Sequence, residues 1–368
     1  MRSIQSNAGA SSRWLLLIGV FSLGGISLLL ASLALAMPDH MLTASLRGVA
    51  VWWEVLFPAL FPFFVLSEIL LGVGVVHFVG TLLDPFMRPL FRLPGIGGFV
   101  VAMGFASGYP IGARLTSQLM EQNLLTREQG ERLVTITTTS DPIFLIGAVC
   151  IGFFGNVHLA PIIAITHYGT ALLIGIFASL RTKDTNNKLQ FLEKSHKRSF
   201  KAALAAMHRA RLADGRTFST LLQQALQSSL ALIVIVGGLV VFFSATLELL
   251  MHSGLLSSFR QLIASLLQLF GSSPQLAPAI VNGTFEVTLG AKAAAAHGTG
   301  VNTSLPLVDQ VAIAGFILSW AGLSVHAQVA GLMSRTTWRY LPFARDRFIH
   351  GVLTLCAVYI VWPFFNMN

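Results

Sequence analysis

Two stretches of this sequence put helix breakers and reactive side chains inside otherwise apolar runs: Phe105-Ala-Ser-Gly-Tyr-Pro-Ile-Gly-Ala-Arg114 and Thr137-Thr-Thr-Ser-Asp-Pro142. A third, Pro274 to Lys292, carries Pro278, Asn282, Gly283, Thr284, Glu286 and Gly290. Proline lacks the backbone donor and clashes with the preceding turn, and glycine has the most backbone entropy to lose, so a helix stops or kinks at each. In hydrocarbon such breaks persist only where protein or a water-filled cavity surrounds them. A helix that starts inside a membrane offers free N–H groups and about half an elementary positive charge, which attract anions. Gly108, Pro110 and Gly112, with Thr284 and Gly290, are placed to present such ends to one cavity. Ser107, Tyr109, Thr138, Thr139, Ser140, Asn282, Thr284 and Ser319 supply neutral hydrogen bonds. Arg114 and Lys292 either meet substrate carboxylates or snorkel to the interface. Asp141 and Glu286 are the deepest acids; they pair with those bases, carry a coupling proton or cation, or read a polar substrate edge, and the sequence does not choose.

The chemistry indicated is binding and not bond-making. The sequence has no Gly-x-Ser-x-Gly elbow, no His-Glu-x-x-His and no Walker loop, and no histidine follows the hydroxyls of Thr137 to Ser140 closely enough to act as their base. No enzyme, cofactor or metal is expected. Cys150 and Cys356 both lie in apolar runs and read as small core residues.

The elements that must hold these residues are membrane helices. Apolar residues make up 54% of 368 positions and charged residues 11%, with a mean hydropathy of +0.72, outside the soluble globular range. The net charge of +9 lies in loops between apolar runs, which is the positive-inside pattern and argues against nucleic acid. Trp14 to Ala36 is long enough to span and reads as an anchor, with the N-terminus cytoplasmic. Val49 to Val76 spans and carries Glu54 and Glu68. Thr81 to Pro94, too polar and proline-rich, lies along the inner surface. Gly95 to Gly112 forms a re-entrant hairpin. Leu133 to Phe154 and Val157 to Leu180 cross, and His167 in the latter reads as a hydrogen-bonded core residue. Arg181 to Arg216 is a basic cytoplasmic loop. Ala225 to Leu250 crosses; Ser253 to Phe270 is a surface helix or a weak span. Pro274 to Lys292 is a second hairpin, and Val308 to Met333 and Phe348 to Phe365 cross, with Arg335, Arg339, Arg345 and Arg347 in the loop between.

The expected fold is therefore all-α and polytopic, with about seven transmembrane helices and two re-entrant hairpins. Four regions follow: residues 1–48 as anchor helix and outer loop, 49–180 as a first repeat, 181–216 as the basic loop, and 217–368 as a second repeat with a C-terminal helix. Gly112-Ala113-Arg114 recurs as Gly290-Ala291-Lys292 (290 − 112 = 178). The order of elements around each copy is the same, and an odd number of crossings between the copies inverts the second, the architecture of alternating access.

The stretches Leu56-Phe-Pro-Ala-Leu-Phe-Pro-Phe-Phe64, Met103 to Arg114, Thr139-Ser-Asp-Pro142 and Gly283 to Lys292 resemble the sporulation integral membrane proteins of the YlbJ type, in the wider Gate or nucleoside-recognition superfamily. The resemblance implies a helical fold similar to concentrative nucleoside transporters, with a site between paired hairpins. It also implies movement of dipicolinic acid from the mother cell toward the forespore. Expected partners are a small anionic substrate and the lipid bilayer, in the cell membrane or the outer forespore membrane. A coupling cation or proton, a homo-oligomer, a nucleoside substrate and a non-transporting scaffold remain open.

Overall fold

In the computed structural model, which describes residues 21–22, 24–181, 200–295 and 305–365, every regular element is helical. The chain is an all-α polytopic membrane protein, as its composition requires. Four helical stretches are long and apolar enough to span: Val157–Leu180, Phe218–His252, Leu307–Met333 and Tyr340–Phe365. Two bent pairs raise the number to six, Gly24–Ala36 with Pro38–Glu54 at 103° and Leu60–Val73 with Val75–Phe91 at 83°.

Helix α1 covers Gly24–Ala36. Next, α2 (Pro38–Val51) starts on a proline and runs through a π-helical turn, Trp52–Leu56, into α3 (Phe57–Val73). The outer loop expected before residue 49 is thus a helix, because Pro38 at its first position has the φ that helix initiation needs. Gly74 (φ 87°) turns the chain into α4 (Val75–Phe91). This helix absorbs the polar stretch expected to lie along the surface, and its 83° bend from the apolar helix before it gives it a direction of its own.

The centre of the molecule is two series of interrupted helices. In the first, α5 (Ile96–Ser107) breaks at Gly108 into α6 (Tyr109–Glu121). Helix α7 (Arg127–Thr137) then breaks into a π-helical segment, Phe144–Phe153, followed by α8 (Ala160–Arg181). The basic region expected as a loop continues, past residues 182–199 that lie outside the described set, as α9 (Phe200–Asp214), packed on α3 and α4. Helix α10 (Phe218–His252) connects to α11 (Ser257–Leu269), too short to span at about 1.5 Å per residue. The second series is α12 (Ala277–Phe285), α13 (Val287–Ala295), α14 (Leu307–Trp320), α15 (Gly322–Met333) and α16 (Tyr340–Val361).

The two series match break for break. Gly108 and Glu286 interrupt the first pair in each, at the repeat offset read from sequence (286 − 108 = 178). Residues 138–141 and Ala321-Gly322 interrupt the second. The two series also interlock reciprocally: α6 packs on α15, and α13 packs on the segment Phe144–Phe153. Lipid offers helices no hydrophobic reason to associate, so close packing by small residues carries more of the load. At Gly290 a Cβ would fall 2.3 Å from Gly283 Cα, which places the backbones of α12 and α13 in contact. Leu133, Val134, Ile136, Val311, Ile313, Ile317 and Leu318 fill the core around them.

Gly108 sits at φ 81°, where a Cβ would meet Asp141 N and Oδ2, each at 3.1 Å. Gly322 sits at φ 76°, where one would meet Val287 N at 3.0 Å and Phe285 O at 3.1 Å. Gly108→Ala and Gly322→Ala should each cost about 1–3 kcal/mol and lower the apparent melting temperature in detergent. Gly331→Ala, at an exposed helical position with nothing near, should leave it unchanged or raise it slightly.

Candidate functional site

In each series the two breaks cross each other, one contributing a glycine and the other a carboxylate. Gly108 lies against Asp141 in the first, and Gly322 lies against Glu286 in the second. The acid is on the later break in one series and on the earlier break in the other. Each acid also begins a helix. Asp141 Oδ1 accepts the Phe144 N–H at 2.8 Å, and Glu286 Oε2 accepts the Leu289 N–H at 2.8 Å. The free helix N-termini expected to draw an anionic substrate are, at these two starts, already answered by the protein's own carboxylates. No side chain caps the other two starts, at Tyr109 and Gly322.

Neighbouring helices satisfy the backbone groups that the breaks release. Ser140 N–H donates to His167 Nε2 at 3.0 Å, and Tyr168 OH donates to Ser140 O at 2.8 Å, both from α8. His326 Nε2 donates to Trp320 O at 3.0 Å, and Tyr109 OH donates to Leu318 O at 2.8 Å. Because His167 Nε2 accepts, its Nδ1 carries the proton and donates to Ser319 Oγ at 2.8 Å. Ser319 then bonds Thr354 Oγ1 at 2.8 Å, and Thr354 bonds Thr170 Oγ1 at 2.7 Å, so one run of hydroxyls joins α14, α16 and α8.

Behind Tyr109 stands Arg347 of α16, fully buried. Its guanidinium donates to Ser319 O and, at 3.4 Å, to Thr135 O. These carbonyls belong to the last turns of α14 and α7, the two helices that stop at the second break of each series. Among the described residues Arg347 forms no ion pair. A helix carboxyl end is equivalent to about −0.5 charge, so two such ends balance one guanidinium.

The breaks enclose a cavity of about 40 Å³, lined among others by Tyr109, Pro110, Asp141, Glu286, Thr288, Ser324 and Gln328. That is room for a water or two. Among the described residues Ser324 Oγ, buried on this wall, has no hydrogen-bond partner, nor do the buried hydroxyls of Ser107, Thr139 and Ser140 beside Gly108 and Asp141.

The structure thus brings together Ser107, Gly108, Tyr109, Pro110, Thr139, Ser140, Asp141 and Glu286 of the residues named from sequence. Others are engaged or stand elsewhere. Arg114 pairs with Glu68 of α3 at 2.8 Å, their side chains only 13% and 14% exposed, and so is held by a protein carboxylate. Lys292 is exposed and outside the cavity wall, so the matched Gly-Ala-basic positions do not supply two facing cations. Thr138 and Thr284 hydroxyls bond back to Val134 O and Ile280 O within their own helices. The Ser319 hydroxyl serves the internal network. Gly112 packs on Thr137, Gly290 on Gly283, and Asn282 O accepts the Glu286 N–H, so these three shape the breaks without lining the cavity. His167 is the hydrogen-bonded core residue expected. Cys150 is buried, but Cys356 is exposed. Read from sequence, Ser324 and His326 fall within a span and Arg347 in a loop, and none of them, nor Gln328, falls in the expected site. A polar residue beside the Ala-Gly break of a long apolar run was the available signal for Ser324; for Arg347 there was none.

This is the architecture of a multi-pass membrane protein whose polar centre is made from interrupted helices. The chain belongs to the family of the sporulation integral membrane protein YlbJ: it is 39% identical to that protein of Bacillus subtilis (strain 168) over 345 residues, 94% of this chain and 83% of the relative. Residues 53–166, which hold Gly108 and Asp141, match the Gate family model, described as nucleoside recognition. An uncharacterized protein of Alkalihalophilus pseudofirmus is 28% identical over 115 residues, 31% of this chain and 24% of that one. No solved structure matches the chain.

Breaking the Arg114–Glu68 pair on one side should leave the other charge poorly solvated. Arg114→Gln and Glu68→Gln should each destabilise by about 1–3 kcal/mol, less than a fully buried pair because both ends keep some water. The double variant should be more stable than the sum of the single losses implies, read as a double-mutant cycle of thermal denaturation. Additive losses would contradict the pairing.

Proposed function

We propose that the protein is a transporter and not an enzyme, and that it carries a small carboxylate, dipicolinic acid, out of the mother-cell cytoplasm toward the forespore during sporulation. The observation that carries this reading is the meeting of four helix breaks around one cavity, whose largely apolar wall holds two carboxylates and the Ser324 hydroxyl, left without a partner among the described residues. Buried polar atoms are nearly always bonded, so such a group is one that a ligand can complete. The family's sporulation name supports the biological setting, and the Gate match supports recognition of a small molecule.

Charge constrains the mechanism. The cavity wall holds Asp141 and Glu286 and no lysine or arginine. Two like charges 4 Å apart repel by about 4 kcal/mol at an effective dielectric constant near 20, so a dianion enters only once these acids are neutralised. Asp141 and Glu286 are therefore assigned to the coupling proton or cation. Tyr109 and Ser324, on the cavity wall, are assigned to the substrate, with Ser107 and Ser140, buried beside Gly108 and Asp141, as further hydroxyls that parting of the hairpins exposes. The pairs α5–α6 and α12–α13 are taken as re-entrant hairpins entering from opposite faces, with the N-terminus and the arginine-rich ends of α9 and α16 on the cytoplasmic side, in the cell membrane or outer forespore membrane. A cavity of this size is the closed form, and transport requires the hairpins to part.

A second reading, a nucleoside carrier, is favoured by the acid-lined, base-free wall, which suits a neutral, hydroxyl-bearing substrate. Uptake into proteoliposomes separates the two. Dipicolinate, and not uridine, should accumulate saturably; Asp141→Asn and Glu286→Gln should abolish uptake in protein that stays monodisperse. Ser324→Ala should weaken apparent affinity about tenfold, the worth of one hydrogen bond. Uridine uptake without dipicolinate uptake selects the second reading, and normal dipicolinate flux in both acid variants overturns the site.

A further inference from the structure

Three side chains of metal-ligand type meet on α10 beyond the cavity-lining Val240, at the amino end of α2 and the carboxyl end of α10: His40, Glu248 and His252. Glu248 and His252 are one helical turn apart and share a face of α10. His40 comes from the first turn of α2, which packs along α10. One ligand atom from each lies within 4.8 Å of the other two. The rings of His40 and His252 stand 3.9 Å apart between centroids, tilted by 32°, and His252 Nδ1, which bonds the Glu248 backbone oxygen at 3.1 Å, is 3.3 Å from Glu248 Oε1, leaving Nε2 as the free ring nitrogen for an ion. Tetrahedral zinc, with bonds of about 2.0–2.2 Å, sets its ligand atoms roughly 3.3 Å apart, so small side-chain rotations close the site.

The surroundings hold these ligands in register. At Gly48 of α2 a Cβ would fall 2.9 Å from Val241 Cα, so the two helices touch backbone to backbone two turns from His40. Arg47 binds Glu248 through Oε2, which leaves Oε1 on the side of His252. The carboxyl end of α10 and the amino end of α2 meet here with opposite partial charges, so the ligands themselves carry the affinity.

We propose that His40, Glu248 and His252 form a divalent transition-metal site. Two imidazoles and one carboxylate select a zinc-like ion over magnesium or calcium, which prefer all-oxygen shells. Bound there, the ion ties α2 to α10 and braces the 103° elbow between α1 and α2. The site makes no use of the transport reading and stands or falls apart from it.

The test is calorimetric titration of Zn2+ into the full-length protein, purified without a histidine tag and stripped with a chelator. One Zn2+ per chain should bind, and Mg2+ should not displace it. His40→Asn and His252→Asn should each weaken binding at least about 100-fold, since even residues that only orient ligands contribute 10–100-fold. His158→Asn, which removes an exposed histidine outside the cluster, should bind as the unaltered protein does. Zn2+ should raise the apparent melting temperature of the unaltered protein and of His158→Asn, and not that of His40→Asn. Absence of Zn2+ binding by the unaltered protein, or unchanged binding by the His40→Asn/His252→Asn double variant, overturns the assignment.

Discussion

A buried guanidinium that has no carboxylate partner among the described residues, and faces two helix carboxyl ends instead, is the interaction on which the centre of this protein depends. Arg347 donates to Ser319 O and Thr135 O, the carboxyl ends of two helices that stop inside the molecule, one in each series. An unpaired charge in such surroundings is expensive, and so are helix ends with unanswered carbonyls. Placing one against the other offsets both in part, since Arg347 Nε is left without a partner among the described residues. It also joins α16 to the second break of each series, so neither break can move far without changing what Arg347 faces.

The other breaks follow the same rule with different residues. Asp141 and Glu286 close the starts of the helices that follow them, His167 and Tyr168 hold the backbone of Ser140, and His326 holds Trp320 O. Glycine stands wherever one break crosses another, at Gly108 and Gly322. What is left after this accounting is informative. The hydroxyls of Ser107, Thr139, Ser140 and Ser324 are buried and unengaged, and Asp141 and Glu286 each use one oxygen for a helix start. Four unengaged hydroxyls therefore lie at the breaks, while other buried polar atoms without a partner among the described residues, such as Ser229 Oγ, Gln310 Oε1 and Trp338 Nε1, lie away from them.

Much of this was legible in the sequence, and the reason is local. Gly108-Tyr109-Pro110 and Thr139 to Pro142 interrupt apolar runs, and an interruption announces itself without any knowledge of neighbours. The offset of 178 likewise survived into matched breaks. The misreadings concern what helices face. Arg114 and Lys292 occupy matching positions, yet α6 turns its arginine toward Glu68 while Lys292 is exposed. That depends on helix rotation and on a partner about fifty residues away, which spacing within one segment does not encode. The apolar run begins at Phe348, so by sequence Arg347 is one more arginine of a cytoplasmic loop. The helix begins at Tyr340, with Pro342 in its first turn, and that extension carries the arginine into the core. Residues 38–48 look like a loop in sequence for the opposite reason, since Pro38-Asp39 marks a stop as readily as a start.

The central claim is that the cavity between the two series opens alternately to the two sides of the membrane around a bound carboxylate. Its most direct test is a single cysteine at Ser324, in protein with Cys150 and Cys356 replaced, probed in vesicles with a membrane-impermeant thiol reagent applied to each side separately. The account predicts alkylation from both sides, slowed in both cases by dipicolinate. A cysteine there that reacts from one side only, at a rate dipicolinate leaves unchanged, would contradict it.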